Sequence, residues 1–323
     1  MRLLVIALAA LVLVPVAHAD GLPVLGIDVG SSGVIAPGGT VRYVTVSTGK
    51  TTTVEGILRN GGQIVRQVTW PGTFTIPAVA YDRTPGGLSG DRRTLVLIEP
   101  RQSFPRKKTR LLVLRARTLT HAGLIDLEGD FSFDAVSPDG SRIYLIQYTS
   151  PIDPTRYLVR AYDVKAHRLL TRPVVDPRDA TEKMRGNPLS RAASVDGRWA
   201  YTLYDGGGVR PFVHALDTKR SVARCIDIGG LLPGTNEWSL RLAMSPDGKT
   251  VAVRDGATTL FSLDTRTLAA AQQSPSSRHV WPFVVVAALL LLAGIALTRR
   301  LAPALRAPKR VEPAAVLLRR PRT

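Results

Sequence analysis

The chain has 323 residues, a formal charge of +18 and a single cysteine, Cys225. A chain this long can bury a full core without disulfide staples, and one thiol excludes an internal bridge. The charge is dispersed, since the tail from Arg299 holds +7 and residues 20–280 hold +10; it implies attraction to anionic envelope polymers or lipid head groups, and nucleic acid is set aside because the domain is expected outside the cell.

Residues 1–19, MRLLVIALAALVLVPVAHA, read as a cleaved signal peptide. Arg2 is the positive n-region, residues 3–14 are the apolar segment, and Ala17-His18-Ala19 is a small-x-small cleavage site that leaves Asp20 as the mature N-terminus. The apolar segment is too short to span a bilayer, and no cysteine follows it to carry a lipid anchor.

Residues 20–271 repeat an all-β unit. Three segments carry it clearly: FDAVSPDGSRIYLIQY (133–148), SRAASVDGRWAYTLY (190–204) and LRLAMSPDGKTVAVRD (240–255). Each places Asp-Gly between apolar runs, a tight-turn signal because both residues tolerate positive φ. Each is followed by a second strand pair, YLVRAYDVKAHRLL (157–170), PFVHALDTKRSVAR (211–224) and TTLFSLDTRTLAAA (258–271). The unit is four antiparallel strands in about 50 residues, the size of a propeller blade.

Two weaker copies lie upstream, at 35–46 and 88–99. Turn positions Gly38, Asp91, Asp139, Asp196 and Asp247 then mark five units. The last unit lacks an evident fourth strand, and LGIDVG at 25–30 is similar to CIDIGG at 225–230. The expectation is a five-bladed propeller in which residues 24–29 close the last blade, since closure hides sheet edges.

Residues 272–280 read as a linker. Residues 281–298, WPFVVVAALLLLAGIALT, carry no charge and cover about 27 Å as a helix, matching the hydrocarbon thickness. Arg299 and Arg300 follow directly and mark the cytoplasmic end. The expected topology is single-pass: an extracytoplasmic domain, membrane lipid contacted through 281–298, and a basic cytoplasmic tail at 299–323, short of apolar residues.

The Ser-Pro-Asp-Gly hairpins resemble the WD40-like propeller repeats of the TolB and YVTN type. The resemblance covers nearly all of residues 33–271, most strongly from 131 onward. It implies a propeller that binds or scaffolds, and as a fold-level likeness it names no function. There is no repeated Trp-Asp dipeptide, and the first two Asp-Gly turns are degraded.

Strand alternation puts the Asp-Gly turns on one face and the long loops on the other, where a propeller scaffold commonly carries function. Arg101, Arg106, Lys107, Lys108 and Arg110 form the only dense charge cluster outside the tail. They are candidates to dock an anionic group, against the alternative of a solvated hairpin tip. Trp70 and Trp238 are expected in links on that face, as stacking platforms or rim packing. Asp134 lies on an innermost strand with Arg191 as its counterpart one unit later, so ion pairing or channel lining is expected.

No catalytic constellation emerges. STGKTT (47–52) imitates a P-loop ending but lacks the first glycine. The histidines show no metal spacing, and no cofactor is implied. A non-catalytic binding or scaffolding module for an envelope polymer or protein partner is the expected function. A surface glycosidase of five-bladed type is the alternative, although it needs two or three carboxylates on inner strands where only Asp134 is found.

Overall fold

A strand whose successive residues are all apolar satisfies both faces only between two other layers. The run TLVLI at 94–98 is of this kind, and so is most of 142–148. The computed structural model describes residues 33–178, 184–232 and 234–272. All lie in the first of two compact units, Met1–Gln273; the second, Ser274–Thr323, falls outside the described residues. The expected signal peptide, the strand at 24–29, the linker beyond Gln272, the helix at 281–298 and the tail are likewise outside them. Among the described residues no helix is long and apolar enough to cross a membrane.

Five antiparallel sheets follow one another along the chain. The first is β1 (Val41–Ser47), β2 (Thr51–Leu58) and β3 (Ile64–Pro71), and the second β4 (Thr94–Ile98), β5 (Lys108–Arg115) and β6 (Thr120–Glu128). The third holds β7 (Phe131–Val136), β8 (Arg142–Tyr148), β9 (Tyr157–Asp163) and the short β10 (Arg168–Leu169). The fourth holds β11 (Pro188–Ala193), β12 (Trp199–Tyr204), β13 (Phe212–Asp217) and β14 (Val222–Asp227). The fifth holds β15 (Leu240–Met244), β16 (Thr250–Asp255), β17 (Thr258–Asp264) and β18 (Ala270–Gln272). In the first two sheets the inner strand is reduced to isolated bridges, Val34 to Tyr43 and, on β4, Thr75 to Ile98 and Leu88 to Leu95. The architecture is all-β and consistent with a propeller.

Packing explains the unbroken apolar runs. On β4, Leu95 and Leu97 face the first sheet while Val96 and Ile98 face the third. On β8, Ile143 and Leu145 face the second sheet, and Tyr144 and Ile146 face the fourth. β12 and β13 share a core with β15, β16 and β17 through Tyr201, Leu203, Val213, Val251, Val253 and Phe261, all essentially inaccessible. The terminal sheets are covered on one side only: Val54 is fully buried while Val46 is 38% exposed, and Val253 is buried between the half-covered Ala252 and the exposed Arg254.

One turn recurs between the inner strand and its neighbour. In the third sheet Ser137 Oγ donates to Asp139 at 2.7 Å, the Ser141 N–H donates to the same carboxylate at 3.0 Å, and the Arg142 N–H donates back to Ser137 Oγ at 2.9 Å. The same three bonds recur at Ser194–Asp196 and Ser245–Asp247. They also recur at Ser89–Asp91, so the poorly aligned second copy is structurally complete. There the glycine is replaced by Arg92, which takes the same left-handed backbone at φ 62. In the first copy Ala36 and Gly38 lack both side chains, and the Gly39 N–H bond to the Ala36 carbonyl remains, at 2.8 Å.

A second turn, between the third and fourth strands, corrects the expectation for the last sheet. Leu119, Ser221 and Leu268 adopt φ near +57 and each donates its N–H four residues back. Leu268 thereby reverses the chain so that Ala270–Gln272 pairs with β17. The outer position assigned to residues 24–29 is filled by β18. The run AAAQQ hid this strand because it shows no alternation.

Gly140 and Gly248 share φ of +72 and +69, yet a Cβ on Gly140 would meet Thr94 of β4 at 2.1 Å while one on Gly248 meets nothing. We expect Gly140→Ala to cost about 2 kcal/mol in urea unfolding and Gly248→Ala about 1 kcal/mol, the difference reporting contact between the second and third sheets. Equal costs would show that backbone strain alone is at work.

Candidate functional site

The loop-rich end of the sheets, where the inner strands begin, is built on buried arginine–aspartate pairs. Arg101 leaves solvent because Asp130, just ahead of β7, takes a bidentate bond from it, with NH2 to Oδ1 at 2.7 Å and Nε to Oδ1 at 3.1 Å. Its NH2 also reaches Ser132 Oγ at 3.0 Å, and its guanidinium lies 4.7 Å from the Tyr148 ring centroid. Arg106 packs beside it, with its backbone N–H on Asp130 at 3.0 Å and its guanidinium on the Glu99 and Phe131 carbonyls. Burial pushes the Arg106 pKa down to about 10, and the nearby Arg101 charge adds to this.

These contacts revise the anionic-docking expectation. Arg101 and Arg106 point inward and hold the loop to β7. Lys108 and Arg110 lie on β5, where Lys108 meets Glu128 at 2.9 Å and Arg110 meets Glu99 at 3.7 Å. Lys107 is exposed. Four of these five positive charges are thus divided among three acids, because the loop turns Arg101 and Arg106 to Asp130 while Lys108 and Arg110 meet Glu128 and Glu99 from β5. Asp130 and Glu128 flank the same turn and were the overlooked signal.

Asp134 and Arg191 do meet. Their side chains form a buried ion pair between β7 and β11, and the Arg191 N–H also donates to Asp82 at 3.3 Å. Around them lie Tyr157, whose hydroxyl donates to the Gly186 carbonyl at 3.1 Å, and Tyr204, stacked on Phe212 at 5.1 Å. Burial raises the pKa of both phenols, the neighbouring phenol adding to it at Tyr157 and the Asp134 charge at Tyr204. Burial lowers the His214 pKa to about 4, against the opposing pull of Asp134. His214 therefore stays neutral near pH 7. It lies within β13, whereas His167 sits exposed in the turn after β9, so the two are not equivalent repeat positions.

A hairpin that sequence reading missed lies against this pair. The inner strand of the second sheet is interrupted after Pro77 and resumes at Gly86, whose N–H reaches the Pro77 carbonyl at 2.7 Å. The intervening residues 78–85 extend to the fourth sheet. There the Tyr81 N–H donates to the Pro188 carbonyl at 2.8 Å and the Asp82 N–H to Leu189 at 3.1 Å. The legible signal was the long gap between the β3 and β4 runs, which holds Pro77, Pro85, Gly86 and Gly87.

Trp70 lies inside β3 rather than in a link; it is partly buried against the core of the first two sheets, 5.6 Å from the His121 ring. Trp238 is in a link as expected, on the short 3-10 turn Glu237–Ser239, 50% exposed and edge-on to Tyr81 at 5.3 Å. Among the described residues no cluster of three His, Cys, Asp or Glu side chains could hold a metal ion.

No family model matches the chain, and no curated protein matches it. Among solved structures it is similar to the hydrazine synthase of Kuenenia stuttgartiensis, at 16% identity over 75% of this chain and 70% of that one, with a TM-score of 0.40. TolB from Acinetobacter baumannii matches at 16% identity over 73% and 53%, TM-score 0.41, and the Dos1 propeller at 13% over 76% and 59%, TM-score 0.43. The neighbours thus include TolB and Dos1 propellers, as the Ser-Pro-Asp-Gly resemblance implies. At these scores the likeness says nothing about activity.

Two tests follow from the buried pair and from His214. Asp134→Ala leaves Arg191 buried without its counter-charge and should cost about 3–5 kcal/mol, while Asp134→Leu combined with Arg191→Leu should recover most of the loss. Denaturant unfolding of the three variants measures this, and a double variant no better than the single would show that the pair contributes more than it costs. For His214, the unfolded side chain takes a proton near its ordinary 6.5 and the folded one near 4. The unfolded state therefore binds more protons in that window, and stability should drop by about 3 kcal/mol as pH falls from 6.5 to 4. His214→Asn should flatten this slope; Asp247, held below its ordinary range by its Ser245 hydrogen bond, titrates below the window.

Proposed function

We propose that this chain is a membrane-tethered, extracytoplasmic five-bladed propeller that acts as a non-catalytic binding or scaffolding module for a protein partner or an envelope polymer. The observation that carries this reading is the Asp134–Arg191 pair under the 78–85 hairpin. Propeller glycosidases need free carboxylates projecting from inner strands, about 5–9.5 Å apart. Here the inner-strand carboxylate is neutralised by a guanidinium, Asp82 next to it accepts backbone N–H bonds, and His214 is held neutral by burial. These groups stabilise the inner ends of the sheets against one another.

The five repeated units and the one-sided burial of the first and last sheets support closure into a ring, in which those two half-covered faces would meet. The uncharged stretch 281–298 followed by Arg299 and Arg300 supports the tether, and the signal-like residues 1–19 support export. A rigid scaffold held by buried ion pairs, with irregular loops at one end, suits recognition.

The test is affinity capture of the full chain from detergent-solubilised membranes, beside a glycan turnover assay. We expect a stoichiometric partner or retained polymer and no turnover. Hydrolysis by the wild type that Asp134→Asn abolishes would overturn the reading. In parallel, the mature chain should begin at Asp20 and remain in the membrane pellet, and truncation after Gln273 should release it.

A further inference from the structure

The two kinds of turn lie side by side at one end of every sheet. One backbone bond joins them in each: the Arg59 N–H donates to the Thr40 carbonyl at 2.8 Å, Ala116 to Arg93 at 2.8 Å, Val164 to Ser141 at 3.0 Å, Thr218 to Arg198 at 2.8 Å and Thr265 to Lys249 at 2.9 Å. Neighbouring sheets touch at the same level. The Arg92 guanidinium donates to the Pro37 carbonyl at 2.8 Å, the Asp91 N–H to Pro138 at 2.8 Å, and the Arg142 guanidinium to Ser221 Oγ at 3.0 Å. The turns of the first four sheets thus make one continuous surface, at the end opposite the irregular loops.

This surface is basic by construction. Residues 40–42, 91–93, 139–142, 196–198 and 247–249, together with 58–63, 115–119, 163–168, 217–221 and 264–268, hold 14 Lys or Arg against 7 Asp. The aspartates bend back onto backbone N–H groups of the turn, and the residue that donates is repeatedly a cation: Arg93 at 2.9 Å, Arg198 at 3.0 Å, Lys219 at 3.0 Å, Lys249 at 3.1 Å and Arg266 at 3.0 Å. Such a turn draws its acid in and sends its cationic side chain out. Among the described residues, acids pair with only two of these cations, Arg198 with Asp217 and Lys249 with Asp247. Arg93, Arg117, Lys219 and Arg220 are exposed, and no ion pair claims them.

We propose that this turn face docks an acidic polysaccharide of the envelope. A guanidinium fork matches a carboxylate, and although each exposed contact is weak, a polymer gathers many of them along its length. A protein interface draws its energy from a few desolvated aromatic anchors, and nucleic acid single strands need rings on which bases stack. Trp199, beside the fourth turn, supplies neither, since it is half-buried with the Arg198 guanidinium 5.4 Å from its ring. Lipid head groups fit less well than a polymer. β17 runs into the turn at 264–268 and β18 runs out of it, so the chain leaves this unit away from the basic face. The docking rests on the binding-module reading and deepens it, naming the class of polymer and the face that meets it.

The probe is decagalacturonate, titrated by calorimetry at neutral pH into the full chain held in phosphatidylcholine nanodiscs. One variant carries Arg93→Gln, Arg117→Gln, Lys219→Gln and Arg220→Gln on the turn face. A charge-matched control carries Arg83→Gln, Lys107→Gln, Arg172→Gln and Arg185→Gln, all exposed and away from that face. We expect saturable binding that weakens as salt is raised, falls about tenfold in the turn-face variant and stays within about twofold of wild type in the control. Thermal unfolding of both variants should stay near wild type. No binding, or equal loss in both variants, overturns the site, the second because net charge alone would then explain the attraction. Binding of phosphatidylglycerol vesicles in place of the decamer, lost in the turn-face variant, overturns it in favour of a lipid surface. The two levels fail separately: decamer binding left intact by the turn-face variant refutes this face while the binding-module reading stands, and shortening of the decamer by the wild type refutes that reading.

Discussion

Strands β4 and β8 bury apolar side chains on both faces, and a sheet with two apolar faces cannot exist alone in water. That constraint orders the rest. Leu95 and Leu97 commit β4 to the first sheet, and Val96 and Ile98, the residues between them, commit it to the third. Burying one such side chain fully contributes about 1.5–3 kcal/mol, so each neighbour is held by many small terms rather than by one contact. The constraint weakens only at the two terminal sheets, where Val46 and Arg254 mark faces with partial cover. The ends of such an array are where ring closure removes the most exposed surface.

Apolar contact sets which sheets are neighbours but leaves their relative height free, because hydrophobic burial has no direction. The polar groups supply the direction. The Tyr144 hydroxyl of the third sheet donates to the Thr218 carbonyl of the fourth at 2.7 Å, and the Asp91 N–H of the second reaches Pro138 of the third at 2.8 Å. Asp134 and Arg191 join β7 to β11, and the 78–85 hairpin adds the second sheet to the same point. A buried ion pair is weak evidence for net stability and better evidence for fixed geometry. Here it fixes the inner ends of the third and fourth sheets, beside the long irregular loops.

The repeat was legible because its turn chemistry is written in side chains. Ser and Asp two apart, with Gly next, specify three hydrogen bonds, and the three clear copies have them. The copy at 89–94 was harder to read because Arg92 stands where Gly is usual, yet the Ser89 and Asp91 bonds survive. Strand β18 and the hairpin 78–85 were not legible. The first carries only Ala and Gln, and three backbone pairs with β17 hold it without any periodic signal. The second is an insertion into a strand, and its partners Pro188 and Leu189 lie a hundred residues away in sequence. The Asp134–Arg191 pairing could be expected because repeat alignment puts both on inner strands. The fate of Arg101 could not, since Asp130 is joined to it only by the third sheet folding back on the loop.

Net charge is a poor guide to partners when arginines are structural. Arg101, Arg106 and Arg191 are enclosed against acids, and Arg198 and Arg224 reach the buried carboxylates of Asp217 and Asp176 at 2.7 and 2.9 Å. A guanidinium in that position offers an external anion little, because the acid it faces already cancels its field at short range. What governs recognition is the residual: the groups that folding leaves charged, partly desolvated and unmatched. By that criterion Arg101, Arg106, Lys108 and Arg110 of the basic run are matched by acids within the fold, and Lys107 stays exposed.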